Sequence, residues 1–168
     1  MKVNLVGEKI RLTNSIKEEI DQIIEFEKSN NNFVNHYEKE HHINLLEDKD
    51  CFHLSIRRLE DDKLVGHMIL FGGESKDKVL EFRRLAINEK GSGFGREAVR
   101  LLKKLCFEEL KYHRLWLDVY SDNGRAIHVY ESEGFIFEGE LRDKFKIDSS
   151  YRSQRIYSML EDEYKSKN

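Results

Sequence analysis

Lys90-Gly91-Ser92-Gly93-Phe94-Gly95 joins two segments of opposite periodicity. Residues 79–87, just before it, are apolar and alternating enough to predict a strong strand. After it, Val99, Leu102, Leu105, Cys106 and Leu110 trace one apolar stripe at helical spacing. A strand that turns on glycines into a helix aims several main-chain N–H groups, and the positive end of the helix dipole, at one point. Glycine also permits positive φ and lets an anion approach the backbone closely. The physical expectation is a phosphate or pyrophosphate site, with a plain glycine-rich strand–helix turn as the alternative.

The rest of the chain supplies a setting for that turn. Residues 8–13 predict a short strand. Residues 15–29 predict an amphipathic helix on Ile16, Ile20, Ile23 and Ile24, capped by Asn14 or Ser15 with Glu18 completing a capping box. Asn30-Asn31-Asn32 reads as a loop, and a short helix is expected around residues 41–47. Residues 52–58 and 64–71 form a hairpin about Glu60-Asp61-Asp62-Lys63, closed by Gly72-Gly73. Residues 113–120 predict a strand with Leu115, Leu117 and Val119 on one face and Trp116, expected in the core, on the other. A helix capped by Ser121 or Asp122 runs to about Glu133 and stops at Gly134. Residues 135–147 and 151–160 are two further strands about Asp148-Ser149-Ser150, and residues 165–168 a frayed tail. The fold class is α/β (α+β), a mixed sheet with helices packed on it, as a single domain over residues 1–168.

Composition removes several classes. With 39% hydrophobic and 36% charged residues the chain reads as a soluble globular protein. No apolar run approaches the roughly 18 residues of a membrane span, and Met1-Lys2 does not lead into the apolar core of a secretory signal. Two cysteines, Cys51 and Cys106, are too few for a disulfide scaffold, so the expected location is a reducing cytoplasm. A net charge of -3 argues against a nucleic-acid partner. The absence of proline leaves no proline-rich linker to divide the chain.

Three chemistries compete for the glycine turn. A nucleotide P-loop needs Gly-Lys-Ser/Thr after its second glycine, whereas Lys90 precedes the glycines. A dinucleotide fingerprint needs a glycine where Arg96 stands. The third pattern, Gln/Arg-x-x-Gly-x-Gly/Ala, is the pyrophosphate loop for acyl-CoA. Both of its glycines are present as Gly93 and Gly95, with Lys90 in place of Gln or Arg.

A second segment, Leu117-Asp-Val-Tyr-Ser-Asp-Asn-Gly-Arg-Ala-Ile-His-Val-Tyr-Glu-Ser-Glu-Gly-Phe135, discriminates between them. Together the two segments resemble the GNAT superfamily of acetyl-CoA-dependent N-acetyltransferases. There a strand ends in Asn, a helix follows with Ala and with Tyr seven residues after the Asn, and Gly-Phe closes it. Here these are Asn123, Ala126, Tyr130 and Gly134-Phe135. The resemblance spans roughly residues 8–160. Phe137-Glu-Gly-Glu-Leu141 and Tyr151-Arg152 resemble the branch of ribosomal-protein and spermidine acetyltransferases. The resemblance implies a mostly antiparallel mixed sheet of about seven strands flanked by about four helices.

It also implies residue roles. Tyr130 would be the general acid that protonates the departing thiolate, since a phenol is protonated at neutral pH. Glu81 would be the general base, with ion pairing to a nearby arginine as the structural alternative. It is expected on one strand face with Arg83, Leu85 and Ile87. Leu85, Ala86 and Ile87 would run beside the acetyl and pantetheine arms, with a main-chain N–H as oxyanion donor and Ile87 paired with the strand ending at Tyr120, the two strands separating like a V to admit the cofactor. Lys90, Ser92, Gly93, Phe94, Gly95 and Arg96 would surround the pyrophosphate. Asn123 would reach the pantetheine or simply cap its helix, and Arg125 would contact the adenosine phosphate. The cofactor is acetyl-CoA. The acceptor is a small-molecule amine or a protein N-terminus, expected near Tyr37, Glu38, Glu40 and Glu47. A homodimer follows from family habit. The rivals are a non-catalytic acyl-CoA-binding module and a site for another nucleotide. No metal is expected, because the histidines lack ligand spacing.

Overall fold

The computed structural model describes residues 1–30, 32–34 and 36–166, so Asn31 and the end of the expected tail, Lys167 and Asn168, lie outside the described residues. Among the described residues, eight strands form one sheet: β1 (Asn4–Val6), β2 (Ile10–Asn14), β3 (Cys51–Arg58), β4 (Leu64–Phe71), β5 (Val79–Ile87), β6 (Arg114–Tyr120), β7 (Ile136–Ile147) and β8 (Ser150–Leu160). Five α-helices accompany them among the same residues: α1 (Ile20–Ser29), α2 (Lys39–Glu47), α3 (Phe94–Lys104), α4 (Gly124–Ser132) and α5 (Glu161–Lys165). The spatial order is β1-β2-β3-β4-β5-β6-β8-β7. Every neighbouring pair is antiparallel except β5 and β6, which are parallel and joined through α3. The sheet is thus GNAT-like, with one strand and one helix more than the family resemblance implied. The additions, β1 and α5, have three and five residues, too short for a periodic signal.

Strand alternation directs one face of the sheet to α3 and α4 and the other to α1 and α2. Towards α3, Leu12, Leu54, Ile56, Met68, Leu80 and Leu102 are fully buried in one apolar cluster. Towards α1, a smaller cluster contains Ile20, Ile23, Phe26, Leu64 and Ala86. Beside it lies a buried polar core. His42 Nδ1 meets His53 Nε2 at 2.9 Å, His53 Nδ1 meets Ser15 Oγ at 2.9 Å, and Ser15 meets Ser55 at 2.8 Å. Ser55 Oγ donates to Glu19 at 2.6 Å, and Glu19 pairs with Arg57. The expected cap at the start of the first helix therefore differs. Ser15 is committed to this network, and the carboxylate that accepts from the Ile16 N–H is Glu19, one residue beyond Glu18. A single 3-10 turn at Lys17–Glu19 leads into α1.

Two other expectations shift. The last turn of α3 widens into a π turn over Leu105–Glu109, which buries Leu105, Cys106 and Phe107. Trp116 is half-buried, on the α1 and α2 face opposite Leu115 and Leu117. Among the described residues no helix is long and apolar enough to cross a membrane.

Candidate active site

β5 and β6 are laddered only from Val79↔Arg114 to Phe82↔Leu117. Beyond that pair the two strands part, and their facing edges have no ladder hydrogen bonds to exchange. Ile87 consequently pairs with Gly66 of β4, and not with the strand ending at Tyr120. The parting opens a cleft of about 600 Å³. It brings together Leu85, Ile87, Lys90, Ser92, Gly93, Phe94, Gly95, Arg96, Asn123, Arg125 and Tyr130, from two separate stretches of chain, residues 85–96 and 123–130. Ala86 and Glu81 do not line it. Ala86 is buried beneath α1, so its backbone alone faces the strand edge.

A β-bulge explains Glu81. Ile69 pairs with Arg84 and Leu70 with Phe82, leaving Arg83 as an extra residue. One inserted residue reverses the alternation. Leu80 and Phe82 share the α3 face with Leu85 and Ile87, while Glu81 is on the opposite face and not alongside Leu85 and Ile87 as expected. Both oxygens of the Glu81 carboxylate are engaged by Arg83, one at 2.7 Å. Arg83 in turn lies over the Phe71 ring, 4.6 Å from its centroid.

At one end of the cleft, Gly91 and Gly93 have φ of +84° and +85°, a conformation costly for any side chain. Gly93 starts α3 without a side-chain cap. Ser92 Oγ donates to the Glu89 carbonyl at 2.8 Å and receives the Phe94 N–H at 3.4 Å. The first helical bond runs from the Glu97 N–H to the Gly93 carbonyl. The N–H groups of Gly95 and Arg96 precede it and point from the helix terminus toward the cleft. Arg58 draws the Glu89 carboxylate aside at 2.8 Å, which keeps a negative charge from opposing an anion here. Glu97 fastens this terminus to the sheet by accepting from the Lys9 N–H at 2.9 Å. Lys90 is exposed, Arg96 is 3.6 Å from Glu133, and Arg125 is exposed at the rim.

In the middle of the cleft Tyr130 projects from α4. Its ring stands edge-on to Phe82 and Phe135, at 6.0 and 5.9 Å between centroids. Burial, and then the negative charge of Asp118, push the Tyr130 phenol well above its ordinary range, so it stays protonated. Asn123, not Ser121 or Asp122, caps α4 by accepting from the Ala126 N–H at 3.3 Å.

The far side of the cleft contains residues that sequence reasoning missed: Phe33, Arg84, Asp118 and Gln154. Arg84 reaches it from β5, stacked 3.6 Å from the Tyr37 ring and paired with Glu27 at 2.8 Å. Glu27 also accepts from His67 at 2.9 Å and from the Tyr37 N–H at 2.8 Å. Burial alone would raise this carboxyl, yet His42, His67 and Arg84 hold it far below the carboxylate range. Arg152 clamps the 32–34 stretch over the mouth, donating to the Asn32 carbonyl at 2.7 Å and to Asp122 at 2.6 Å. The acidic residues expected to greet the acceptor, Glu38, Glu40 and Glu47, are exposed and none lines the cleft. For Asp118 the sequence carries one signal, a polar residue between Leu117 and Val119 two places before the end of β6, a signal that any half-exposed strand also shows.

A search among known proteins agrees with this geometry. The sequence pattern described as acetyltransferase (GNAT) family matches residues 18–135. The probable N-acetyltransferase YjcK of Bacillus subtilis is 33% identical over 119 residues, covering 68% of this chain and 65% of that protein. Spermidine N(1)-acetyltransferase of Vibrio cholerae is 31% identical over 80 residues, covering 48% of this chain and 46% of that protein. The matched stretch thus spans about half of one relative and just under two thirds of the other. Among solved structures, the spermidine/spermine N-acetyltransferase SpeG of Vibrio cholerae superposes with a TM-score of 0.83 at 22% identity, covering 96% of this chain and 99% of that one. A GNAT-family acetyltransferase from Bacillus anthracis gives 0.80 at 17%, covering 95% and 99%. At these identities the superpositions speak for the fold, and the sequence pattern speaks for descent: the chain belongs to the acetyltransferase (GNAT) family.

Proposed function

We propose that the chain transfers an acetyl group from acetyl-CoA to a primary amine, by direct attack within a ternary complex. The observation that carries this reading is the composition of the cleft, which has unbonded helix-terminus amides at one end and a buried, protonated Tyr130 partway along. The acceptor is a small-molecule amine or a protein N-terminus. The relatives named for spermidine favour the former.

The residues present suit acetyl-CoA. The amides of Gly95 and Arg96 bind the diphosphate, with Lys90 and Arg125 adding positive charge near the adenosine end. Leu85 and Ile87 flank the pantetheine arm, and the free edge of β5 supplies an N–H where negative charge develops on the carbonyl oxygen. Asn123 holds the α4 terminus, and so Tyr130, in register with the cleft. The bound cofactor contributes an activated thioester. Tyr130 gives its proton to the departing sulfur, and burial keeps that proton in place until then.

Self-association is supported by β7, an edge strand with Ile136, Phe137 and Leu141 exposed along it. One solved relative is described as dodecameric.

The test is a panel of amines with acetyl-CoA, read as release of free thiol, repeated with Tyr130→Phe. The expected result is turnover by the wild type and a fall of roughly 10²-fold or more in kcat for Tyr130→Phe, with CoA affinity nearly unchanged by calorimetry. A wild-type rate in Tyr130→Phe removes the acid role. CoA binding without thiol release on any amine replaces the enzyme with a binding module.

A further inference from the structure

Two carboxylates line the cleft. Glu89 belongs to the anion loop and is tied to Arg58. Asp118 belongs to β6, and no described residue donates a hydrogen bond to it or pairs with it. Its position is set by the sheet. The ladder between β5 and β6 ends at Phe82↔Leu117, and Asp118 is the next residue, at the point where the strands part. Leu117 and Val119 are buried toward α3 and α4, so Asp118 looks to the α1 and α2 side with Trp116 and Tyr120. Tyr130 enters from the α4 side. A group held between the parted strands therefore has the phenol on one side and the Asp118 carboxylate on the other.

We propose that Asp118, rather than Glu81, removes the proton from the acceptor's ammonium group. The proposal rests on the acetyl-transfer reading above and deepens it, since the acceptor it implies is an alkylamine, protonated at neutral pH. In the step, Asp118 takes one proton from the ammonium, and the freed nitrogen lone pair forms the N–C bond to the thioester carbonyl. As the C–S bond breaks, Tyr130 gives its proton to sulfur. The tyrosinate recovers a proton from the acylated nitrogen, leaving a neutral amide, and Asp118 releases the first proton to water.

The groups facing Asp118 suit this role. Burial raises its carboxyl above the ordinary range, making it a better base, and the Glu81 charge from β5 acts in the same direction. Lys144 from β7 and Arg83 from β5 oppose that. Lys144 donates to Gln154 Oε1 at 2.6 Å, while Arg83 is engaged with Glu81. Tyr130 faces Asp118 from α4. Glu81 is the weaker candidate, because its oxygens are on Arg83 and it sits in the closed part of the ladder, opposite Trp116.

The experiment compares wild type, Asp118→Asn, Asp118→Glu and Glu81→Gln with an alkylamine from the acceptor panel. Rates are measured from about pH 6 to about pH 10, with CoA affinity and thermal melts for each protein. The expected loss in kcat/KM at neutral pH for Asp118→Asn is roughly 10²-fold or more, at least ten times that of Glu81→Gln. CoA affinity should be unchanged, the loss should shrink above the amine's own pKa, and Asp118→Glu should recover part of the rate. In the free protein, a carboxyl carbon resonance missing from Asp118→Asn should titrate above an ordinary aspartate. Wild-type rates in Asp118→Asn, a larger loss in Glu81→Gln, or a loss of CoA affinity matching the loss of rate would each overturn the proposal. Should Asp118→Asn melt below the assay temperature, Asp118→Glu decides, and an unshifted pH profile counts against the base role. Absence of turnover in the wild type with every amine is a different result, and it fells the acetyl-transfer reading itself.

Discussion

Beneath α3 the sheet presents Leu54, Ile56, Met68 and Leu80, while beneath α1 and α2 it presents His53, Ser55, His67 and Arg84. Both sets of side chains are buried or nearly so, yet they are held by different forces. On the first, stability comes from area removed from water and from close packing, which adds up residue by residue and is indifferent to direction. On the second, each polar group must meet a partner at a fixed angle, and an unmet partner is costly. The apolar face provides a firm base for the glycine turn and Tyr130. The polar face fixes where Arg84 lies along the far wall of the cleft, with the Tyr37 ring stacked against it. On the proposed reading, an acyl-CoA arm would need a repeatable groove and an acceptor a wall whose charges are placed individually, one on each side of the sheet.

Deleting one central side chain from each face separates the two kinds of stabilisation. Glu27→Ala removes a carboxylate shared by His67, Arg84 and the Tyr37 N–H, and breaking a buried ion pair in this way costs about 3–5 kcal/mol. Leu102→Ala leaves a cavity in the apolar cluster and costs about 2–5 kcal/mol. Denaturant melts will find both destabilised. The kinetics should separate them. Glu27→Ala is expected to raise KM for the amine because Arg84 and Tyr37 lose their anchor, whereas Leu102→Ala leaves KM for both substrates near wild type. Equal effects on amine KM would show that the polar network does no positioning.

A second contrast appears with pH. Burial, with the charges of His67 and His42, pushes the His53 imidazole down to about 3, and burial also lowers His67. Between that value and the unfolded value near 6.5 the unfolded chain binds more protons than the folded one. Stability therefore falls as pH drops from about 6.5 toward about 3. The Glu27 contribution is present above its unfolded carboxylate value and is lost only at lower pH still. On the other face, burial raises Cys106 and Tyr130, so the folded state keeps protons that the unfolded state gives up above its thiol and phenol values. Stability from those groups is lost as pH rises past them. Melting temperatures across pH should decline on both flanks. Cys106→Ala should flatten the alkaline flank and leave the acid one; the reverse outcome would mean the faces are misassigned.

Much of this was legible from residues 64–135. The strands over residues 64–71 and 79–87 and the glycine turn follow from periodicity and local chemistry, which act over a few residues, whereas Tyr130 was singled out by the family resemblance. What escaped depends on partners far along the chain. Nothing near Arg83 announces a bulge, because the mismatch lies in the pairing with Ile69 and Leu70, and it alone moves Glu81 off the face of Leu85. Ser15 has the spacing of a helix cap, but His53 and Ser55, remote in sequence, claim its hydroxyl. Asp118 alternates like any strand residue; the family resemblance implies that the two strands part, but only the pairing shows that they do so after Leu117 and so expose Asp118 to the cleft.

The smallest expected effect falls on the seam between the two faces, at the glycine turn. A Cβ on Gly91 would meet nothing within 4 Å, and one on Gly93 would meet only Lys9 Nζ at 4.0 Å, so space does not demand glycine at either position. Conformation does, because φ near +85° disfavours a side chain by about 1–2 kcal/mol. Gly93→Ala should therefore lower stability by about that amount and tilt the Gly95 and Arg96 amides off the diphosphate, weakening CoA by up to about tenfold. Gly95 is helical, and a Cβ there would make an ordinary 3.7 Å contact with Ile87, so Gly95→Ala should keep the melting temperature. Calorimetric titration of CoA into the two variants checks this. Equal affinities in both would mean that the amides at the start of α3 are not what binds the anion, and that the cofactor is held by Lys90 and Arg125 alone.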